Sequence, residues 1–168
     1  MIKKILLALL IILVIIQFIH PKHNKSEGPQ PNYIGNRYPV PEDVKSIMVK
    51  ACNDCHSNNT RYPWYTKFEP FDWWITGHIN DGKRNLNFDE YLNKPLRYQY
   101  NRMKGVSNLV KKGAMPITSY LWIHKDAKLT DDEKGKIYTL TESVQDSLRA
   151  HYPMDSLERP KQGPRKQD

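Results

Sequence analysis

Cysteine is almost missing from this chain, with Cys52 and Cys55 the only two in 168 residues. A four-ligand zinc site would need a second Cys or Cys/His pair at matching spacing, and none is present. One stretch lacks acidic residues altogether: Lys94, Arg97, Arg102, Lys104, Lys111 and Lys112 follow one another without an Asp or Glu among them. No small-x-small pair follows the N-terminal apolar run, where the sequence is Phe18-Ile19-His20-Pro21, so a signal-cleavage site is not evident. No cysteine lies near that run to accept a lipid. Internal repeats are absent, and nowhere do His, Arg and carboxylates cluster as peroxide cleavage would require.

What the two cysteines do form is Cys52-Asn53-Asp54-Cys55-His56, a C-x-x-C-H run. Two thiols three residues apart can each add to one vinyl group of a porphyrin, and the next residue then lies beneath the ring as the proximal iron ligand. A thioredoxin-like pair would follow a strand and open a helix, whereas here an amphipathic helical pattern runs into the motif from its N-terminal side. The motif therefore predicts one covalent c-type haem, attached at Cys52 and Cys55 and ligated by His56.

Haem of this type is attached outside the cytoplasm, so the chain is expected to be exported. Lys3 and Lys4 precede an apolar run from Ile5 to Ile19 broken only by Gln17, which matches the charged and apolar regions of a secretory signal. With no polar face to show to water, the run is a poor core helix. An uncleaved anchor is expected, the domain standing on the periplasmic or extracytoplasmic side. The run is short, about 22 Å as helix against a hydrocarbon core of about 30 Å, and Lys3 and Lys4 would have to snorkel. The expected organisation is a signal anchor over 1–20, a flexible tether rich in Pro, Asn and Lys over 21–38, one haem domain over 39–152, and a disordered basic tail over 153–168.

Within that domain the pattern is helical. Pro41-Glu42-Asp43 opens a helix with Val44, Ile47, Met48 and Ala51 on one face. A second helix is expected over Phe71 to Asp81, with Gly82 near its end. A third starts near Lys94-Pro95, carries Leu96, Tyr100, Met103, Val106 and Val110, and stops at Lys111-Lys112-Gly113. The last starts at Thr130, with Glu133 completing a capping box and Ile137, Leu140, Val144 and Leu148 in register. The fold class is all-α: a small cytochrome c-like helical domain after an N-terminal transmembrane helix.

A six-coordinate iron needs a second ligand, a methionine or a histidine. Met115 is the expected one: it sits in a short loop between helices, where Gly113 permits a tight exit and Pro116 stiffens the chain. Met48 and Met103 fall on helical stripes and read as packing, and Met154 lies near the tail. His78 and His124 are the alternatives. Tyr62, Trp64, Tyr65, Phe68, Phe71, Trp73 and Trp74 are expected mostly to fill the core. The basic stretch from Lys94 to Lys112 reads either as a solvated helix face or as a collar that pairs propionates or steers an acidic redox partner. Nucleic acid is a poor partner for an exported domain, and no small-molecule substrate is predicted.

The motifs C-N-D-C-H-S-N-N-T, then Y-P-W-Y at 62–65, W-W at 73–74, H-I at 78–79, L-N-F-D-E-Y at 86–91, G-A-M-P-I at 113–117 and Y-L-W-I-H-K-D-A-K-L at 120–129 resemble the membrane-anchored haem-binding domain family of bacterial cytochrome c-like proteins. The likeness runs from about residue 41 to 148. It implies one haem c on a cytochrome c-like fold, Cys52 and Cys55 as thioether attachments, His56 as proximal and Met115 as distal ligand. It implies no reaction. Two classes of function follow: an electron carrier with both axial positions filled, which is favoured, and a gas or redox sensor or small peroxidase-like enzyme with an open distal site, in which His78 or His124 would act as acid or base.

Overall fold

The computed structural model describes residues 1–158 and, among them, contains helices and turns but no strand. The eight α-helices are α1 (Ile2–Ile16), α2 (Glu42–Ala51), α3 (Asn53–His56), α4 (Phe71–Asn85), α5 (Leu96–Lys111), α6 (Thr118–Ile123), α7 (Asp131–His151) and α8 (Met154–Leu157). Short 3-10 turns at Ile34–Asn36, Trp64–Lys67, Phe88–Glu90 and Lys125–Ala127 join them.

The chain divides into two compact units. The first combines Met1–Pro29 with Asn53–Asn87; the second combines Gln30–Cys52 with the chain from Phe88 onward. The boundary runs through the C-x-x-C-H motif itself, between Cys52 and Asn53, where a single domain over 39–152 was expected.

In the first unit, α3 and the 3-10 turn at Trp64–Lys67 pack on α4. Helix α1 buries none of its residues. At fifteen residues it rises about 22 Å, and no helix among the described residues is long and apolar enough to cross a membrane. The expected transmembrane helix is therefore not found as a full span.

The second unit is built on α5 and α7, with α2 and α8 against them. Helix α2 buries Val44, Ile47, Met48 and Ala51, the stripe its periodicity predicts. Helix α7 starts with the capping box Thr130/Glu133 and buries Ile137, Leu140, Val144 and Leu148. Lys50 of α2 reaches Glu133 at 2.5 Å, so the residue that caps α7 also ties it to α2. Helix α5 buries Met103, and α2 buries Met48, so both methionines serve packing.

Three segments differ from expectation. The stretch 21–38 is fastened rather than a loose tether: Asn24 bonds to Ser57, Thr60 and Tyr62 in the first unit, while Ile34 and Tyr38 are buried in the second. The expected tail begins too early at 153, because α8 buries Leu157, and Arg97 and Asn101 donate to the Asp155 and Leu157 carbonyls. The remainder of that tail, 159–168, lies outside the described residues. Helix α4 runs on to Asn85, past the Gly82 expected near its end, for a reason that belongs to the site.

Candidate functional site

Helix α3 is a single turn whose last two residues are Cys55 and His56, and what holds it in the first unit is α4. At Gly82 the two segments touch so closely that a Cβ would stand 2.5 Å from the Cys55 carbonyl oxygen and 3.0 Å from the Cys55 Cβ. Glycine is thus needed here for approach, not for helix termination. A methyl group at this position would push on backbone, which cannot yield locally. Gly82→Ala is expected to cost about 1–3 kcal/mol in thermal unfolding. Gly77→Ala, on the same helix with open space around it, should instead stabilise by about 0.5–1 kcal/mol. Equal shifts for the two variants would refute the close-approach account.

The same helix end orients the histidine. His56 Nδ1 lies 2.9 Å from the Leu86 carbonyl oxygen. A carbonyl can only accept, so Nδ1 carries the proton, and the nitrogen that remains to ligate is Nε2. Histidines that bind metals are commonly fixed in this way by a backbone acceptor. Burial pushes the His56 pKa down, against the opposing pull of the Leu86 and Gly82 carbonyls, so the ring is held in the neutral form that ligates.

Cys52 and Cys55 are not joined in a disulfide. Cys55 is pushed up to about 11, by burial first and by the neighbouring Asp54 second. A redox pair of the thioredoxin kind needs the reverse, a stabilised thiolate. Asp54 is itself buried. Its two carboxylate oxygens take the Arg61 guanidinium in a two-point clamp, each bond 3.1 Å long, and Oδ1 also accepts the Arg61 backbone N–H at 3.0 Å. Thr60 Oγ1 donates to the Asp54 carbonyl at 2.6 Å, and Asn24 donates to Thr60 Oγ1 and the Ser57 carbonyl, both at 2.9 Å. The turn-forming loop after the motif is therefore tied back onto α3 by residues that the motif reading passed over.

Cys52 and Met115 lie together in the second unit, both packed against the cluster of Ile47, Ala51, Val110, Ala127, Leu129 and Ile137. The loop that carries Met115 is defined at its start: Gly113 takes φ +66°, its N–H bonds to the Val110 carbonyl, and the Ala114 N–H bonds to the Leu109 carbonyl. This pairing closes α5 in a Schellman motif and sends the chain out at a fixed angle. The alternatives are engaged elsewhere. His124, also in the second unit, stacks on Tyr120 with ring centres 4.1 Å apart, and His78, in the first, meets Trp74 edge-on.

The aromatic cluster departs most from expectation. Trp64, Phe68, Phe71, Trp73 and Trp74 of the first unit are exposed, Trp64 at 73%. Only Tyr62 and Tyr65 of the seven are partly buried. The basic stretch is also divided. Arg97 is bonded to Asp155, Lys104 pairs with Glu158 at 2.8 Å, and Arg102 lies over the Tyr98 ring. Lys111 and Lys112 remain exposed at the end of α5.

Two thiols and a neutral histidine, with its second nitrogen committed to a backbone acceptor, suit a haem-attachment segment. The residues present fit the group. The chain matches the model of the haem-binding domain family over residues 11–143 and belongs to that family, and with it goes a haem cofactor. No curated protein and no solved structure matches.

Proposed function

We propose that the protein carries one covalent haem c and works as a membrane-anchored, extracytoplasmic electron carrier. Cys52 and Cys55 hold the porphyrin through thioethers, His56 Nε2 is the proximal ligand and Met115 the distal one. The haem supplies one-electron oxidation and reduction. The chain's own part is to fix the histidine tautomer through Leu86, to keep that ring neutral, and to present a thioether from a loop anchored on α5. The single observation that carries the reading is the bond from His56 Nδ1 to the Leu86 carbonyl. The open-site reading, a sensor or peroxidase-like enzyme, needs a distal acid or base, and the two candidates for it, His78 and His124, are engaged in ring contacts with Trp74 and Tyr120.

Location follows from the same chemistry and is likewise a proposal. Helix α1 presents apolar side chains around its whole circumference. The exposed aromatics of the first unit are of the type that settles at a membrane surface. Bonds from Phe18 and Ile19 back to Ile15 and Ile16 carry the helical turn slightly beyond α1, and the Lys3 and Lys4 stems lengthen the apolar reach at the other end.

The test is the visible spectrum of the full-length chain, co-expressed with haem-attachment machinery, recorded oxidised, reduced, and reduced under carbon monoxide. A low-spin spectrum with the weak red methionine-to-iron band, unmoved by carbon monoxide, is expected. A high-spin spectrum, or carbon monoxide binding at once, would hand the lead to the sensor or enzyme. For the partner, Lys111→Glu with Lys112→Glu should slow electron transfer to an acidic acceptor by about tenfold at low salt, the difference fading as salt rises. A rate indifferent to both changes would remove the steering role from these lysines.

A further inference from the structure

Glu69 and Asp72, at the start of α4 in the first unit, are buried carboxylates whose side chains are 0% and 1% exposed. Each has one oxygen satisfied and one left over. Glu69 Oε2 accepts the Trp73 backbone N–H at 3.1 Å, and Asp72 Oδ2 is held by His23 Nε2 at 3.0 Å. Glu69 Oε1 and Asp72 Oδ1 are buried and accept no hydrogen bond. Among the described residues their only cationic neighbours are imidazoles, since His20 Nδ1 stands 3.3 Å from Glu69 Oε1 and no Lys or Arg reaches either group. Asp72 Oδ1 is left dry and unpaired, and Glu69 Oε1 is met only by an imidazole that carries charge when protonated, an arrangement that is costly unless something with positive charge fills the gap.

One donor atom from each of His20, Glu69 and Asp72 lies within 4.8 Å of the other two. We propose that these three residues bind a divalent first-row transition ion, with zinc the best suited. One imidazole and two carboxylates neutralise its charge and leave a fourth position for water, and small rotations of the exposed His20 bring the donors to the roughly 2.0–2.2 Å that such ligands require. His23 and the Trp73 amide then do what outer partners of ligating carboxylates do, each fixing the oxygen that does not coordinate. The polar break in the apolar run also finds its reason. Gln17 accepts from the Glu69 backbone N–H at 3.0 Å and donates to its carbonyl at 3.1 Å, which brings the chain after α1 onto α4 and places His20 over the carboxylates. The ion would pin the N-terminal helix to the body of the first unit.

The measurement is the zinc-to-iron ratio of the haem-loaded full chain after incubation with zinc chloride and gel filtration, together with a calorimetric zinc titration. One zinc per chain is expected, with Glu69→Gln and Asp72→Asn reduced to background at unchanged haem content. His20 is exposed and packs little, so His20→Ala should still unfold cooperatively in zinc-free buffer, with any lowered melting temperature reporting the lost pairing with Glu69, and should lower zinc affinity at least tenfold. His23→Ala, removing an outer partner, should weaken binding by about 10–100-fold. Absence of stoichiometric zinc, equal binding by all four variants, or equal displacement by magnesium or calcium, which would mean that no nitrogen ligates, would overturn the site.

Discussion

The chain with Cys52→Ser and Cys55→Ser is expected to emerge without covalent haem and without a cooperative unfolding transition. Cys52 packs against the Ile47, Ala51 and Val110 cluster, and the backbone and Cβ of Cys55 lie close to Gly82 of α4. A haem bound by the folded chain and not by the unfolded one adds its binding free energy to the folding free energy. A domain of this size holds only about 5–15 kcal/mol in total, so losing the group removes a large share of it. The measurements are haem staining on a denaturing gel and a melt followed by circular dichroism. A double mutant that still unfolds cooperatively at the wild-type temperature would show that the helices stand without their cofactor. The single variants separate the two attachments: Cys52→Ser and Cys55→Ser should each retain some haem through the remaining thioether.

What the sequence made legible here was local. The capping box at Thr130 and Glu133, the helix opening at Pro41, the stripe of Val44, Ile47, Met48 and Ala51, and Gly113 at the end of α5 are all written within one or two turns of chain. The C-x-x-C-H motif is equally local, and the haem it pointed to is what the family match supports. What stayed hidden depends on partners far along the chain. Gly82 looks like a helix end until Cys55, 27 positions earlier in the numbering, is found beneath it. The Leu86 carbonyl has no side-chain signature at all, so no pattern of residue types could have named it as the group that fixes His56. The aromatics from Trp64 to Trp74 misled for a related reason: large apolar side chains suggest core, but only packing decides which face they take, and here five stand exposed. Segment 21–38 misled in the opposite direction. Its polar residues predict mobility, yet Asn24 uses that polarity to bind the loop after the motif.

Met115→Ala is the variant on which the electron-carrier reading turns. Removing the thioether should leave haem attached at Cys52 and Cys55, lower the midpoint potential by on the order of 100 mV, and let the reduced protein bind carbon monoxide. The fold should survive, because Met115 is only partly buried and its loop is set by the Gly113 turn and the bonds to Leu109 and Val110, which the substitution leaves in place. A melting temperature close to wild type together with a changed spectrum is therefore the expected pair of results. If potential and carbon monoxide response are both unmoved, the distal assignment fails and attention passes to His124. That residue shares the second unit with Met115, and its stacking on Tyr120 makes a second comparison available. With Met115 as the ligand, His124→Ala leaves the potential near its wild-type value; with His124 as the ligand, it gives the carbon monoxide binding that Met115→Ala did not. The two variants read together distinguish a closed methionine-ligated carrier from a bis-histidine one, and a wild-type protein that binds carbon monoxide before either change belongs to neither.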